Sequence, residues 1–200
     1  RKLSQIIDPD LNQDLVSLGF IKQLVINSGS VVINIELTTP ACPVKEHFKD
    51  DAVRLVTQLD WVTDVTVHFS AQKRPGLSNK GGLENVATII AVSSCKGGVG
   101  KSTVATNLAY SLNAMGASVG LFDADLYGPS LPTMVTTHQQ VYVTETTLSP
   151  ILEHGIKHMS FGYVQSSTND DAPAILRGAM ATQIITQLLT GTAWGELDYL

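Results

Sequence analysis

Residues 93–103 read Ser-Ser-Cys-Lys-Gly-Gly-Val-Gly-Lys-Ser-Thr, a spacing suited to holding phosphate. Glycines let backbone N–H groups turn inward around phosphate oxygens, where a side chain would intrude. Lys101 would then reach the β- and γ-phosphates of a nucleotide, and the Ser102 hydroxyl would ligate Mg2+. Cys95, Lys96, Gly97, Gly98, Val99, Gly100 and Thr103 complete the candidate loop. The usual spacing is G-x-x-x-x-G-K-[ST], and here Cys95 stands in the place of its first glycine. A Gly-rich turn that merely caps a helix is the bland alternative.

A second candidate group is Asp123-Ala124-Asp125-Leu126-Tyr127-Gly128-Pro129-Ser130. It directly follows Ser118-Val119-Gly120-Leu121-Phe122, an apolar strand. Carboxylates at the carboxyl end of a parallel strand are placed to serve Mg2+ or an attacking water. Asp and Gly-Pro also form turns with no chemistry attached. A third candidate is Cys42, before Pro43. Pro43 suits the first position of a helix, which would put Cys42 at the N-cap, where helix amides can activate a thiol. It could equally be a small residue filling a tight turn.

The elements that position these residues follow from hydrophobic period. Val86-Ala87-Thr88-Ile89-Ile90-Ala91-Val92 predicts a buried parallel strand before the Gly-rich loop. Val104, Leu108, Leu112 and Met115 predict a helix after it. Upstream, Leu3, Ile6 and Ile7 suggest a short helix ended by Asp8-Pro9-Asp10. Strands are expected over 20–26 and 30–37, joined by a turn at Asn27-Ser28-Gly29. Val44, Phe48, Leu55, Val56 and Leu59 mark a helix, and residues 62–69 a further strand. Residues 1–69 thus form a small α+β domain, residues 70–85 a Gly-, Ser- and Lys-rich linker, and residues 86–200 an α/β domain. Residues 136–150 look like a loosely constrained polar excursion and 165–173 like a loop. A strand is expected within 155–163, a helix over 180–189, and a strand opening at 197–200. His138, His154 and His158 have no ligand spacing and read as surface or loop residues.

Composition limits the alternatives. The chain has 200 residues, 44% hydrophobic and 16% charged, with a formal net charge of −5. That is ordinary for a globular protein and offers no general basic surface, so neither a nucleic-acid partner nor stable membrane insertion is expected. The two cysteines, Cys42 and Cys95, make no CxxC and suggest a reducing compartment. No signal peptide is visible at Arg1-Lys2-Leu3, although the missing initiator Met leaves a removed leader open.

Lys96 sharpens the loop, because K-G-G-V-G-K-S-T resembles the deviant Walker A motif of MinD/ParA-like ATPases. With V-G-L-F-D-A-D-L-Y-G-P-S-L-P and W-G-E-L-D-Y-L, the chain is similar to the Mrp/ApbC family of iron–sulfur carrier ATPases. The segments I-I-D-P-D, L-V-S-L-G-F-I-K and E-L-T-T-P-A-C-P-V-K resemble the iron–sulfur assembly domain that precedes many of them. Cys95 and the A-W-G-E-L-D-Y-L ending look most like the plastid member.

The resemblance implies an α/β architecture with an incomplete P-loop NTPase domain built on a mostly parallel sheet. It implies a homodimer that uses ATP and Mg2+ to assemble a 4Fe–4S cluster and pass it to apo iron–sulfur proteins. Lys96 matches the signature lysine that reaches the partner's nucleotide, Lys101 the phosphate-loop lysine and Ser102 the metal ligand. Asp125 matches the water-orienting aspartate of switch I, with Asp123 supporting the metal shell, so Lys96, Lys101 and Asp125 carry the expected catalysis. Cys42 matches a cysteine of the assembly domain. Switch II and the bridging C-x-x-C are expected after Leu200, making this a fragment cut inside its sheet, of reduced activity. The chloroplast stroma is the expected compartment, with bacterial cytoplasm the alternative. The competing function is a MinD/ParA-type positioning ATPase switching on a membrane or DNA; a third reading is an adaptor that binds ATP but barely hydrolyses it.

Overall fold

The structure, a computed structural model, describes residues 1–71, 81–168 and 178–200. The chain divides into two compact units, Arg1–Lys73 and Arg74–Leu200.

In the first unit, the alternating pattern of residues 30–37 produces a half-buried strand. Val31, Ile33, Ile35 and Leu37 face the core while the residues between them face outward. Its neighbours arise in order: β1 (Ile7–Asp8), β2 (Gln13–Asp14), β3 (Ile21–Asn27), β4 (Ser30–Leu37), α1 (Lys45–Thr57) and β5 (Asp64–Ala71). β1 pairs with β2, and the main sheet has the order β3-β4-β5. β3 and β4 are antiparallel, with Asn27 opposite Ser30. Ser28 and Gly29 both have positive φ, 45° and 94°, as a two-residue hairpin turn that matches strand twist requires. α1 crosses over so that β5 runs parallel to β4. It lays Phe48, Ala52, Leu55 and Val56 against the sheet at helical spacing.

Two expectations change here. The predicted first helix is only a 3-10 turn at Leu3–Gln5. The Asp8 carboxylate accepts the amides of Asp10 and Leu11 at 2.8 and 3.0 Å, which turns the chain into the β1–β2 pair. Cys42 is not the N-cap of α1, because Val44 occupies that position. The Cys42 carbonyl accepts the Lys45 amide at 3.3 Å, closing a turn ahead of the helix.

The second unit contains α2 (Lys101–Ala114), β6 (Gly120–Asp123), α3 (Leu131–Met134), β7 (Ile151–Glu153), β8 (Ile156–Ser160), α4 (Phe161–Thr168) and α5 (Gly178–Gly191). The sheet order is β6-β8-β7, with β6 parallel and β7 antiparallel to β8. Parallel bridges Val119↔Tyr199 and Val86↔Leu197 extend it outward through residues 197–200 to the segment before the Gly-rich loop. Trp194, fully buried, anchors the core against Phe122 in an edge-on contact and donates its indole N–H to the Leu189 carbonyl at 2.8 Å. Gly120 lets this happen, since a Cβ there would lie 2.7 Å from Leu197 and 3.1 Å from Trp194.

Several local readings differ from the sequence pattern. Residues 86–92 are extended and bonded to residues 197–200, yet Ile89 and Ile90 are 43% and 42% exposed. Among the described residues, residues 197–200 pair with this segment, and Val86 within it is fully buried. The stripe of α2 at Val104, Leu108 and Met115 is likewise exposed. Leu83, within the stretch read as linker, is buried in the second core. Residues 136–150 are tied down: Val141 is buried, Val143 bridges Leu148, and the Gln139 side chain donates to the Leu152 carbonyl at 2.7 Å. Helix α4 occupies the start of the predicted 165–173 loop, through Thr168, and the rest of that loop lies outside the described residues. His158 is no surface residue. It is fully buried on β8, because its position shares the apolar face of Ile156 and Ser160.

Candidate functional site

The Gly-rich loop leads into α2 with Gly98 and Gly100 at φ of 70° and 91°. Side-chain-bearing residues rarely adopt that conformation, which is the local reason for glycine at these two places. Gly97 has no positive φ, and a Cβ at Gly97, Gly98 or Gly100 would meet nothing within 4 Å, so the loop is open on those sides. Gly100 is the N-cap of α2 and provides no side-chain cap, and the first turn has no acidic residue. The first-turn amides of Lys101, Ser102 and Thr103 therefore have no partner within the helix and face an uncompensated positive helix end.

Within the loop, the Ser94 hydroxyl donates to the Lys96 carbonyl at 2.9 Å. The Lys101 ammonium donates to the same carbonyl at 3.5 Å, which keeps its charge over the loop. Lys101 and Ser102 are half-buried, whereas Cys95, Lys96, Gly97, Gly98, Val99 and Thr103 are exposed. Such a donor set, cationic and rich in amides on an open loop, fits a nucleotide phosphate chain.

The second candidate group lies on the same edge of the sheet. β6 and the segment at Val86 both run parallel to residues 197–200, so the loops that follow them open at one carboxyl edge. Asp123, the last residue of β6, is bound into its surroundings. Its Oδ1 accepts the Asp125 amide at 3.0 Å. Its Oδ2 accepts the Ser130 and Leu131 amides at 2.9 and 3.0 Å and the Ser160 hydroxyl at 3.4 Å. Asp123 thus caps the start of α3 and fastens both ends of the Asp125 loop. Asp125 is exposed, and its Oδ1 accepts the amides of Tyr127 and Gly128 at 3.2 and 3.1 Å.

Ser160 and Tyr163 had no signal in the sequence, yet both touch this region. Ser160 is fully buried opposite Asp123 in the β6–β8 register. The Tyr163 hydroxyl donates to the Val135 carbonyl at 2.9 Å. Burial raises the Tyr163 pKa well above the ordinary tyrosine value, which keeps the hydroxyl a donor.

Cys42 sits apart from these groups in the first unit, half-buried against the α1 core. Among the described residues no group of three His, Cys, Asp or Glu side chains could hold a metal ion. Nor is any described helix long and apolar enough to cross a membrane.

Comparison with known proteins gives these features a context. The iron-sulfur cluster assembly protein family matches residues 1–69. Among curated proteins, the chloroplastic Fe-S cluster assembly factor HCF101 of Arabidopsis thaliana is 52% identical across 100% of this chain. The iron-sulfur cluster carrier protein of Synechocystis is 41% identical across 99%. The chain spans 38% of the Arabidopsis protein and 57% of the Synechocystis one. A solved nucleotide-binding protein from Archaeoglobus fulgidus, in complex with ADP, is 38% identical over 60% of this chain and 44% of its own, with a TM-score of 0.47. The family of NUBPL iron-transfer P-loop NTPases matches residues 85–200, and the chain belongs to that family.

Proposed function

We propose that the full-length protein is an ATP-dependent carrier that assembles a 4Fe–4S cluster and delivers it to apo iron–sulfur proteins. The observation that carries the nucleotide half is the open loop at the α2 N-terminus, with paired positive φ at Gly98 and Gly100 and Lys101 held over it. The cluster half rests on the pairing of two family matches in one chain, an assembly domain followed by an iron-transfer NTPase. The names of the Arabidopsis and Synechocystis relatives favour the same cargo.

In this reading the loop amides and Lys101 bind the β- and γ-phosphates, with Cys95, Gly97, Gly98, Val99, Gly100 and Thr103 shaping the cradle. Ser102 is the protein's ligand to Mg2+, which neutralises charge on the phosphate oxygens. Asp125 orients the attacking water, and Asp123 supports the metal shell while fixing the Asp125 loop. Lys96, exposed on the loop, reaches the nucleotide of a second copy, which makes the active form a homodimer. Cys42 serves cluster handling in the assembly domain, residues 1–69, joined to the ATPase domain through the stretch 70–85, whose end at Leu83 packs into the second core. The working compartment is the chloroplast stroma or a bacterial cytoplasm. The MinD/ParA-type switch has less support, since the assembly-domain match has no place in it.

The test is a pair of lysine variants in the full-length protein. Lys101→Ala removes the main counterion to the phosphates and abolishes ATP binding measured by calorimetry. Lys96→Ala keeps ATP affinity within about threefold but lowers turnover by at least ~10-fold, because its interaction forms across the dimer in the transition state. Undiminished binding in Lys101→Ala would overturn the site, and undiminished turnover in Lys96→Ala the dimer.

A further inference from the structure

We propose that Ser160 at the end of β8, with Gly162 and Tyr163 in the first turn of α4, clamps the Asp125 loop in its hydrolytic geometry. These are positioning residues, and the proposal rests on the nucleotide reading above. Asp125 leaves β6 on a loop that closes on itself through the Tyr127 and Gly128 amides. Those bonds fix the turn, and buried Leu126 packs its middle into the core. Three further attachments come from the junction of β8 and α4.

The first is at the loop's start. Ser160 donates its hydroxyl to Asp123 Oδ2 at 3.4 Å and accepts the Gly162 amide at 3.2 Å. One buried hydroxyl therefore joins the Asp123 carboxylate to the first turn of α4. The second is at the loop's end, where a Cβ on Gly162 would lie 2.7 Å from Pro132 Cγ and 3.1 Å from Pro129 Cγ. Only glycine lets α4 approach the prolines that close the loop so nearly. The third lies just beyond, where the Tyr163 hydroxyl donates to the Val135 carbonyl at 2.9 Å and approaches the Leu131 carbonyl at 3.5 Å, gripping α3. Start, end and following helix are all held by four consecutive positions of sequence.

A group that orients water tolerates little displacement, since a shift near 1 Å can cost about 100-fold in rate. Loosening the clamp leaves the Gly-rich loop, and hence nucleotide affinity, untouched. The experiment uses the full-length protein with Tyr163→Phe, which keeps the ring and deletes the hydroxyl, and with Ser160→Ala. In each, kcat for ATP falls about 5- to 10-fold with KM within about twofold, the signature of a loss felt in the transition state. In an Asp125→Ala background the same changes lower kcat no further, because the clamp acts through Asp125. The amides of Asp125, Tyr127, Gly128 and Ser130 exchange with solvent at least ~10-fold faster in both variants. A purely structural role would reduce thermal stability and leave the kcat-to-KM split and the Asp125 coupling unmoved. Unchanged kcat together with unchanged amide exchange, or effects that add to Asp125→Ala, would overturn the clamp. If the unsubstituted protein shows no ATP turnover, the nucleotide reading fails, and amide exchange alone decides the clamp: faster in Tyr163→Phe upholds it, equal rates reject it.

Discussion

At the scale of single residues, His158 illustrates how burial changes chemistry. Among the described residues neither of its ring nitrogens has a hydrogen-bond partner, and the ring sits beside Tyr110 with centroids 6.1 Å apart. Burial pushes its pKa below the ordinary histidine value, with the backbone of Ile151 and Ile156 and the Glu153 charge only partly offsetting this. The unfolded chain therefore binds a proton more readily than the folded one. The stability supplied by neutral His158 is present above the unfolded pKa of about 6.5 and declines as pH falls through the lowered native value. Denaturant titrations of the second unit should show lower stability at pH 5.5 than at pH 7.5, with the difference shrinking in His158→Phe. An equal difference in that variant would remove His158 from the acid response. A histidine alone in an apolar stretch can be read as loop or core from sequence. Its alternation with Ile156 and Ser160 was the available signal for the core.

At the scale of elements, glycine positions separate scaffold from connector. Gly82 lies in a stretch whose composition reads as linker, and in a free linker Gly→Ala would stabilise by about 0.4–1 kcal/mol through the unfolded chain. Here a Cβ would fall 1.7 Å from the Thr192 carbonyl oxygen, against the end of α5. Gly82→Ala should instead destabilise by about 1–3 kcal/mol, as overpacking does, measured by urea unfolding. A stabilising result would return residues 81–83 to the linker. The elements most legible in sequence were those with a strict period: β4, whose alternation gives its buried face, and α2, announced by the Gly-rich loop. Those that composition hid were held by long-range partners. The 136–150 excursion reads as loose because its order comes from Gln139 reaching Leu152 and Leu148 reaching Thr192, contacts no local pattern contains. The start of α1 shifted for a smaller reason, a turn closed by the Cys42 carbonyl that displaced the cap to Val44.

At the scale of the whole molecule, the chemistry divides between two units. The first offers Cys42 on a small α+β fold, and the second an open Gly-rich loop, the proposed phosphate cradle, with Asp125 on the same sheet edge. The residues proposed for the cradle, Gly98, Gly100 and Lys101, stand out in the sequence by their spacing. The network behind it did not, because Ser160 and Tyr163 are common in strands and helices and acquire a role only when β8 pairs with β6. In the proposed function, ATP chemistry in one unit governs cluster delivery by the protein. The most direct measurement reconstitutes the full-length protein without oxygen, counts iron and sulfide per dimer, and follows cluster transfer to an apo-acceptor with and without ATP. The expected result is four iron and four sulfide in a bound cluster, transfer that depends on ATP, and loss of that dependence in Lys101→Ala. Failure to hold a cluster, or transfer at the same rate with ATP, without it and in Lys101→Ala, would contradict it.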